Sequence, residues 1–184
     1  MDVPDGAVLF DMDGVLVDSE TYWHRFEDEW VFAEAIESGS PAHEEVTGMP
    51  YYEIYDYLDA EYGTAVPRER FLATYEERAE SLYGEQVALT AGVRELFDAI
   101  RADGRTLAIV SSARRSWINI VRERFGLDPL DLMLSAEEID EPGKPEPHVY
   151  EHAAAELGLD PAECVVVEDS VNGIESAVRS GAFT

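Results

Sequence analysis

Three apolar runs constrain what this chain can fold into: Ala7-Val8-Leu9-Phe10, Thr106-Leu107-Ala108-Ile109-Val110 and Cys164-Val165-Val166-Val167. None alternates apolar with polar residues, and continuous apolar strands are buried on both faces. Helical patterns separate the later runs. One spans Val93 to Ala102, one ends near Phe125, one runs from about His148 to Leu157, and the last ends at Gly181. A shorter strand falls near Leu132 to Leu134. Alternating strands and helices predict an α/β fold, a parallel sheet covered by helices in three layers. A further strand is expected to begin around Ala182-Phe183-Thr184.

The first run belongs to the same sheet, yet residues 16–88 carry helical patterns only. Asp18 or Ser19 is placed to cap a helix reaching about Ile36, with Tyr22, Phe26, Trp30 and Ala33 near helical spacing. Gly39, Ser40 and Pro41 end it. A second helix is expected over Tyr51 to Tyr62, and a third from Pro67 to Tyr83. The predicted organisation is a core of residues 1–15 and 89–184 with an all-helical insertion over 16–88. The aromatic cluster of Trp23, Trp30, Tyr51, Tyr52, Tyr55 and Tyr57 reads as packing of that small bundle, with pocket lining as the alternative.

The net charge of −27 excludes electrostatic attraction to nucleic acid or anionic membrane as a main function, because both partners carry phosphate. It also repels a phosphorylated substrate at long range, so an anion site must supply its own local cations. Acidic residues are spread along the chain, and of 13 basic residues only Lys144 is lysine. That composition predicts a solvated surface suited to a salt-rich, halophilic cytoplasm, where screening tolerates dense charge. Cys164 has no partner for an internal disulfide and reads as a buried thiol in a reducing compartment. Met1-Asp2-Val3-Pro4 shows no basic leader, and no apolar run approaches membrane-spanning length. The expectation is a cytoplasmic protein with no membrane or nucleic-acid partner, and no coiled-coil pattern argues against a monomer.

Ligands of an open parallel sheet bind at the carboxyl ends of its strands. This chain puts four polar clusters there: Asp11 with Asp13, Ser111 with Ser112, Lys144 in its loop, and Glu168 with Asp169. Asp11 and Asp13 share a face where the first strand ends, and two such carboxylates repel unless a cation sits between them. Hard oxygen ligands favour Mg²⁺. A helix-loop-helix calcium site fits poorly, because its fifth, sixth and twelfth positions counted from Asp11 are Val15, Leu16 and Tyr22. Each cluster also has a plain structural reading, as acidic turn, helix cap or exposed charge. Lys144 stands out because a composition that avoids lysine keeps it between Gly143 and Pro145.

Together the clusters fit one reaction. Asp11 can attack a phosphoryl group and form an aspartyl phosphate. Asp13 can protonate the leaving oxygen and then deprotonate water. Mg²⁺ would be held by Asp11, by Asp13 through its main chain, and by Asp169, with Glu168 contributing directly or through water. Ser111 and Lys144, with Ser112 beside them, would bind the transferring oxygens.

These motifs, in this order, resemble the haloacid dehalogenase-like superfamily: the strand with Asp11-Met12-Asp13-Gly14-Val15, the strand with Ser111, Gly143-Lys144-Pro145, and Val165-Val166-Val167-Glu168-Asp169-Ser170. The resemblance spans essentially the whole chain. It implies a Rossmann-like core, a helical cap over the site, Mg²⁺ as cofactor and a small phosphorylated metabolite as substrate. Dehalogenases of the family lack the second aspartate, and phosphonoacetaldehyde hydrolases need a cap lysine that is absent here. β-Phosphoglucomutases carry a cap histidine and arginine where this chain has Trp23, with His24 adjacent, and Tyr51. The expected activity is a phosphatase similar to phosphoglycolate and sugar phosphatases, with the mutase as the alternative and a catalytically silent binding protein as a third reading.

Overall fold

The computed structural model describes residues 3–184; Met1 and Asp2, part of the leader reading above, lie outside them. Four strands form one parallel sheet in the order β3-β2-β1-β4, with β1 at Ala7–Phe10, β2 at Thr106–Ser111, β3 at Leu132–Ser135 and β4 at Cys164–Val167. In register, Phe10 of the central strand pairs with Ile109 on one side and Val167 on the other, so β1 and β4 end level while β2 runs two residues further, to Ser111. Phe183 adds a single parallel bridge to Val165, its carbonyl accepting from the Val166 amide at 2.7 Å. The strand expected around Ala182 to Thr184 is present as this one pairing residue.

Both faces of the sheet are covered, as continuous apolar strands require. Val8, Phe10, Leu107 and Ile109 face a core shared with α5 (Val93–Ala102), α6 (Arg115–Phe125) and the inserted helices. Phe97 of α5 packs on Phe10 with ring centroids 5.1 Å apart. Ala7, Leu9, Ala108 and Val110 face a second core with α7 (His148–Glu156) and α8 (Val171–Ser180), where Cys164 is buried.

The segment between β1 and β2 is helical, and its details differ from the sequence reading in three places. The helix α1 is regular only over Glu20–Phe26 and then widens into π-helical turns over Glu27–Ala35. A short helix α2 at His43–Val46 occupies a stretch read as a break, before α3 at Tyr51–Tyr62. The third long helix, α4 at Arg68–Ser81, also ends in π-helical turns over Leu82–Gln86. Neither Asp18 nor Ser19 caps α1: Asp18 Oδ1 accepts from the Ala88 amide at 2.5 Å, and the Ser19 hydroxyl is donated to Asp13. Asp18 thereby ties the two ends of the insertion together, and Ser19 bonds back to the turn that follows β1. Among the described residues, no helix is long and apolar enough to cross a membrane.

Candidate active site

Because the strands are parallel, their exits lie at one edge of the sheet and deliver side chains to one place. β1 delivers Asp11, β2 delivers Ser111 as its last residue, and β4 runs into Glu168 and Asp169. The loop after β3 carries Lys144 in from the side. Its Nζ donates to Asp11 Oδ1 at 2.6 Å and also to Glu168 Oε1, and the residue is 1% exposed. Burial alone would lower the lysine pKa, but the charges of Asp11 and Glu168 outweigh it and hold the ammonium protonated.

Glu168 is saturated with hydrogen bonds. Besides Lys144, its Oε1 accepts from the Tyr150 hydroxyl at 2.7 Å. Its Oε2 accepts from the amides of Asp169 and Ser170 and from the Ser170 hydroxyl at 3.2–3.3 Å. Burial would raise its pKa; the Lys144 pair and these donors overcome that and bring it below the usual range. Space for the carboxylate exists because residue 173 is glycine: a Cβ there would lie 2.0 Å from Glu168. The geometry makes Glu168 the anchor that fixes Lys144 opposite Asp11.

The other carboxylates are crowded. Burial, with the charges of Glu168 and Asp13 adding to it, pushes the Asp11 pKa up, and Lys144 only partly offsets the effect. Burial chiefly, and then Glu168, pushes Asp169 up to about 6. One lysine does not balance this cluster, so the site favours a further cation. Asp11, Glu168 and Asp169 each present an oxygen within 4.8 Å of the others, a hard donor set that suits Mg²⁺. Gly14 keeps that set open, since its φ of +71° disfavours other residues and a Cβ would sit 1.8 Å from Asp169 Oδ2.

The Asp13 side chain is outside this donor set. Its Oδ1 accepts from the Ser19 hydroxyl and from the Tyr83 hydroxyl at 2.6 Å, and Tyr83 in turn accepts from Trp23 Nε1 at 3.1 Å. Any contribution of Asp13 to a metal falls to its main chain, while its second oxygen stays free of these bonds.

Asp11, Asp13, Ser111, Ser112 and Asp169 line a cavity of about 110 Å³ whose far wall is built by the inserted helices. Ser111 is buried and its Oγ accepts from the Ala113 amide at 3.2 Å, which leaves the hydroxyl proton available. Ser112 instead donates to the Gly48 carbonyl at 2.8 Å. That bond belongs to a set joining the insertion to the core, with Asn172 Nδ2 to Thr47 O at 2.8 Å and the Gly143 amide to Glu53 Oε1 at 3.0 Å. Trp23, Tyr51, Tyr75, Tyr83 and Trp117 form the aromatic part of the wall. Pocket lining, the alternative reading of the aromatic cluster, therefore applies to Trp23 and Tyr51, whereas Tyr57 is outside the lining and bonds to Glu45.

Sequence reasoning did not find Ser19, Tyr83 and Tyr150 as partners of the carboxylates. Tyr83 and Tyr150 are aromatic residues among others in helical patterns, and only the packing reveals which of them turns toward the site. Ser19 carried a helix-cap signal that the fold overrides.

A family profile described as a haloacid dehalogenase-like hydrolase matches residues 6–181. Hexitol phosphatase B of Escherichia coli K12 is 34% identical over 171 residues, covering 91% of this chain and 77% of the relative. A phosphorylated carbohydrates phosphatase of Thermotoga maritima is 30% identical over 181 residues, covering 95% and 81%. Among solved structures, CbbY from Rhodobacter sphaeroides in complex with phosphate superposes with a TM-score of 0.77 at 24% identity, over 98% of this chain and 84% of that one. The fold, the ordered motifs and these matches agree: the chain belongs to the haloacid dehalogenase-like hydrolases.

Proposed function

We propose that the protein is a Mg²⁺-dependent phosphatase of small phosphomonoesters of the sugar-phosphate kind, working through an aspartyl phosphate on Asp11. The carrying observation is Asp11 itself, buried at the end of β1, fixed by Lys144 at 2.6 Å and opening on the cavity. The hexitol and carbohydrate phosphatase relatives support the substrate class.

In the first half-reaction the Asp11 carboxylate attacks phosphorus and the bond to the leaving oxygen breaks. Asp13 delivers a proton to that oxygen, so the alcohol departs neutral. In the second half-reaction Asp13 takes a proton from water, the water oxygen attacks phosphorus, and the bond to Asp11 breaks with release of inorganic phosphate. The Lys144 ammonium and the Ser111 hydroxyl hold the oxygens that remain on phosphorus throughout. Bound Mg²⁺, held by Asp11, Asp169 and the Asp13 main chain, supplies the positive charge that lets a carboxylate approach a phosphate. Glu168 holds Lys144 in place. The helices over residues 16–88 act as the cap, which excludes water and selects the leaving group.

The test is phosphate release from a panel of phosphomonoesters in molar KCl with Mg²⁺, with EDTA and Asp11→Asn as controls. Metal-dependent release that Asp11→Asn abolishes is the expected result. Interconversion of glucose 1- and 6-phosphates without release would assign the mutase instead. Neither activity, with no covalent phosphoryl group trapped on Asp11, would leave a silent binding fold.

A further inference from the structure

Among the described residues, the far wall of the cavity contains no arginine or lysine. Its ionisable side chains beyond the catalytic end are Glu20, His24 and Glu27. Burial, and then the neighbouring His43, lower the pKa of His24, which disfavours its charged form. Arg114 follows Ala113 of the wall but is bonded to Glu76 and, at 3.1 Å, to Glu137, and Arg78 lies over the Phe26 ring outside the lining. A second phosphate or a carboxylate on the substrate would therefore face Glu20 and Glu27, the latter paired with His43, with no arginine or lysine in the wall to receive it.

The same wall offers hydrogen bonds to neutral groups. Tyr75 is 3% exposed, and its hydroxyl has no hydrogen-bond partner among the described residues. Its ring stacks on Trp23 at 5.5 Å and meets Phe26 at 5.0 Å, so aromatic packing fixes where that hydroxyl sits. A buried, unpaired hydroxyl costs free energy unless a ligand or water satisfies it. Glu27, also buried, is close enough for its charge to act on Tyr75; His43 Nδ1 engages its Oε2 at 2.6 Å, and the residue lines the cavity. A tyrosine hydroxyl beside a carboxylate suits a vicinal hydroxyl pair, and the face of Trp23 suits the C–H surface of a polyol.

Resting on the phosphatase reading, we infer that the cavity selects monophosphates whose distal body is uncharged and hydroxyl-rich, that Tyr75 and Glu27 recognise its hydroxyl groups, and that a second anionic group is rejected. Phosphoglycolate and bisphosphates fall on the rejected side. Aldose and alditol monophosphates fall on the accepted side.

Glucitol 6-phosphate and 6-phosphogluconate differ only at the terminal carbon, CH₂OH against carboxylate, and give a matched test. Calorimetric titration of Asp11→Asn protein with Mg²⁺ measures binding of each without turnover. The expected result is at least about tenfold tighter binding of glucitol 6-phosphate, since like-charge juxtaposition is costly. Tyr75→Phe in that background should narrow the ratio by weakening the polyol, and Glu27→Gln should narrow it by relieving repulsion of the carboxylate. Equal affinities, a preference for 6-phosphogluconate, or no binding of either would overturn the inference. Selective binding by a protein that releases no phosphate even from p-nitrophenyl phosphate would uphold the selectivity and overturn the phosphatase reading instead.

Discussion

Tyr83 donates its hydroxyl to Asp13 Oδ1 at 2.6 Å across 70 residues of sequence, from the inserted helices to the end of β1. With Ser19 on the same oxygen, this fixes the carboxylate and leaves Oδ2 to exchange protons. Tyr83→Phe removes one of the two donors. The expected outcome is a fall in kcat of about tenfold for an alkyl phosphate, which needs a proton on its leaving oxygen, and a much smaller fall for p-nitrophenyl phosphate, which does not. Equal losses on both substrates would show that Tyr83 acts only through packing.

Lys144 is shared between two carboxylates, Asp11 and Glu168. Replacing it with methionine leaves Asp11 and Glu168 buried without a cation, a loss of about 3–5 kcal/mol by analogy with other broken buried pairs. Chemical denaturation should show that loss without Mg²⁺, and added Mg²⁺ should restore part of it.

Gly14 is the narrowest point beside the carboxylates. In Gly14→Ala the new methyl group and the Asp169 carboxylate compete for the same space. The Mg²⁺ concentration giving half-maximal phosphate release should rise at least about tenfold, while far-UV circular dichroism keeps the native helix content, because second-order shifts around a metal cost one to two decades of affinity.

A net charge of −27 destabilises the compact state through self-repulsion, and salt relieves it. The thermal midpoint should climb as KCl rises from about 0.1 M to about 2 M, where the screening length falls to a few ångströms. An uncharged osmolyte at equal osmolality should give a smaller shift.

The parts of this architecture legible in the sequence were those fixed by local chemistry. Continuous β-branched runs announced β2 and β4, and the residues just past β1, β2 and β4 could be named because parallel topology places strand exits together. Tyr51 to Tyr62 and Val93 to Ala102 were readable from apolar spacing. Illegible were features decided by packing between distant segments. The π-helical turns that carry Glu27 and Tyr83 leave no mark in a 3.6-residue periodicity, and the hydroxyl of Ser19 chose Asp13 over the helix it precedes. The role of Glu168 as the support of Lys144 depends on Tyr150 and on the absence of a side chain at residue 173, neither of which has a signal of its own.

The single lysine has a further use for experiment. With only one ε-amine in the chain, and that one 1% exposed, an amine-reactive reagent finds no other lysine to modify. Acylation of Lys144 can then occur only in molecules whose loop or helical cover has swung away. The rate of modification at Lys144, followed by peptide mass so that acylation of the α-amine is counted apart, becomes a clock for opening of the site, and a bound occupant should slow it.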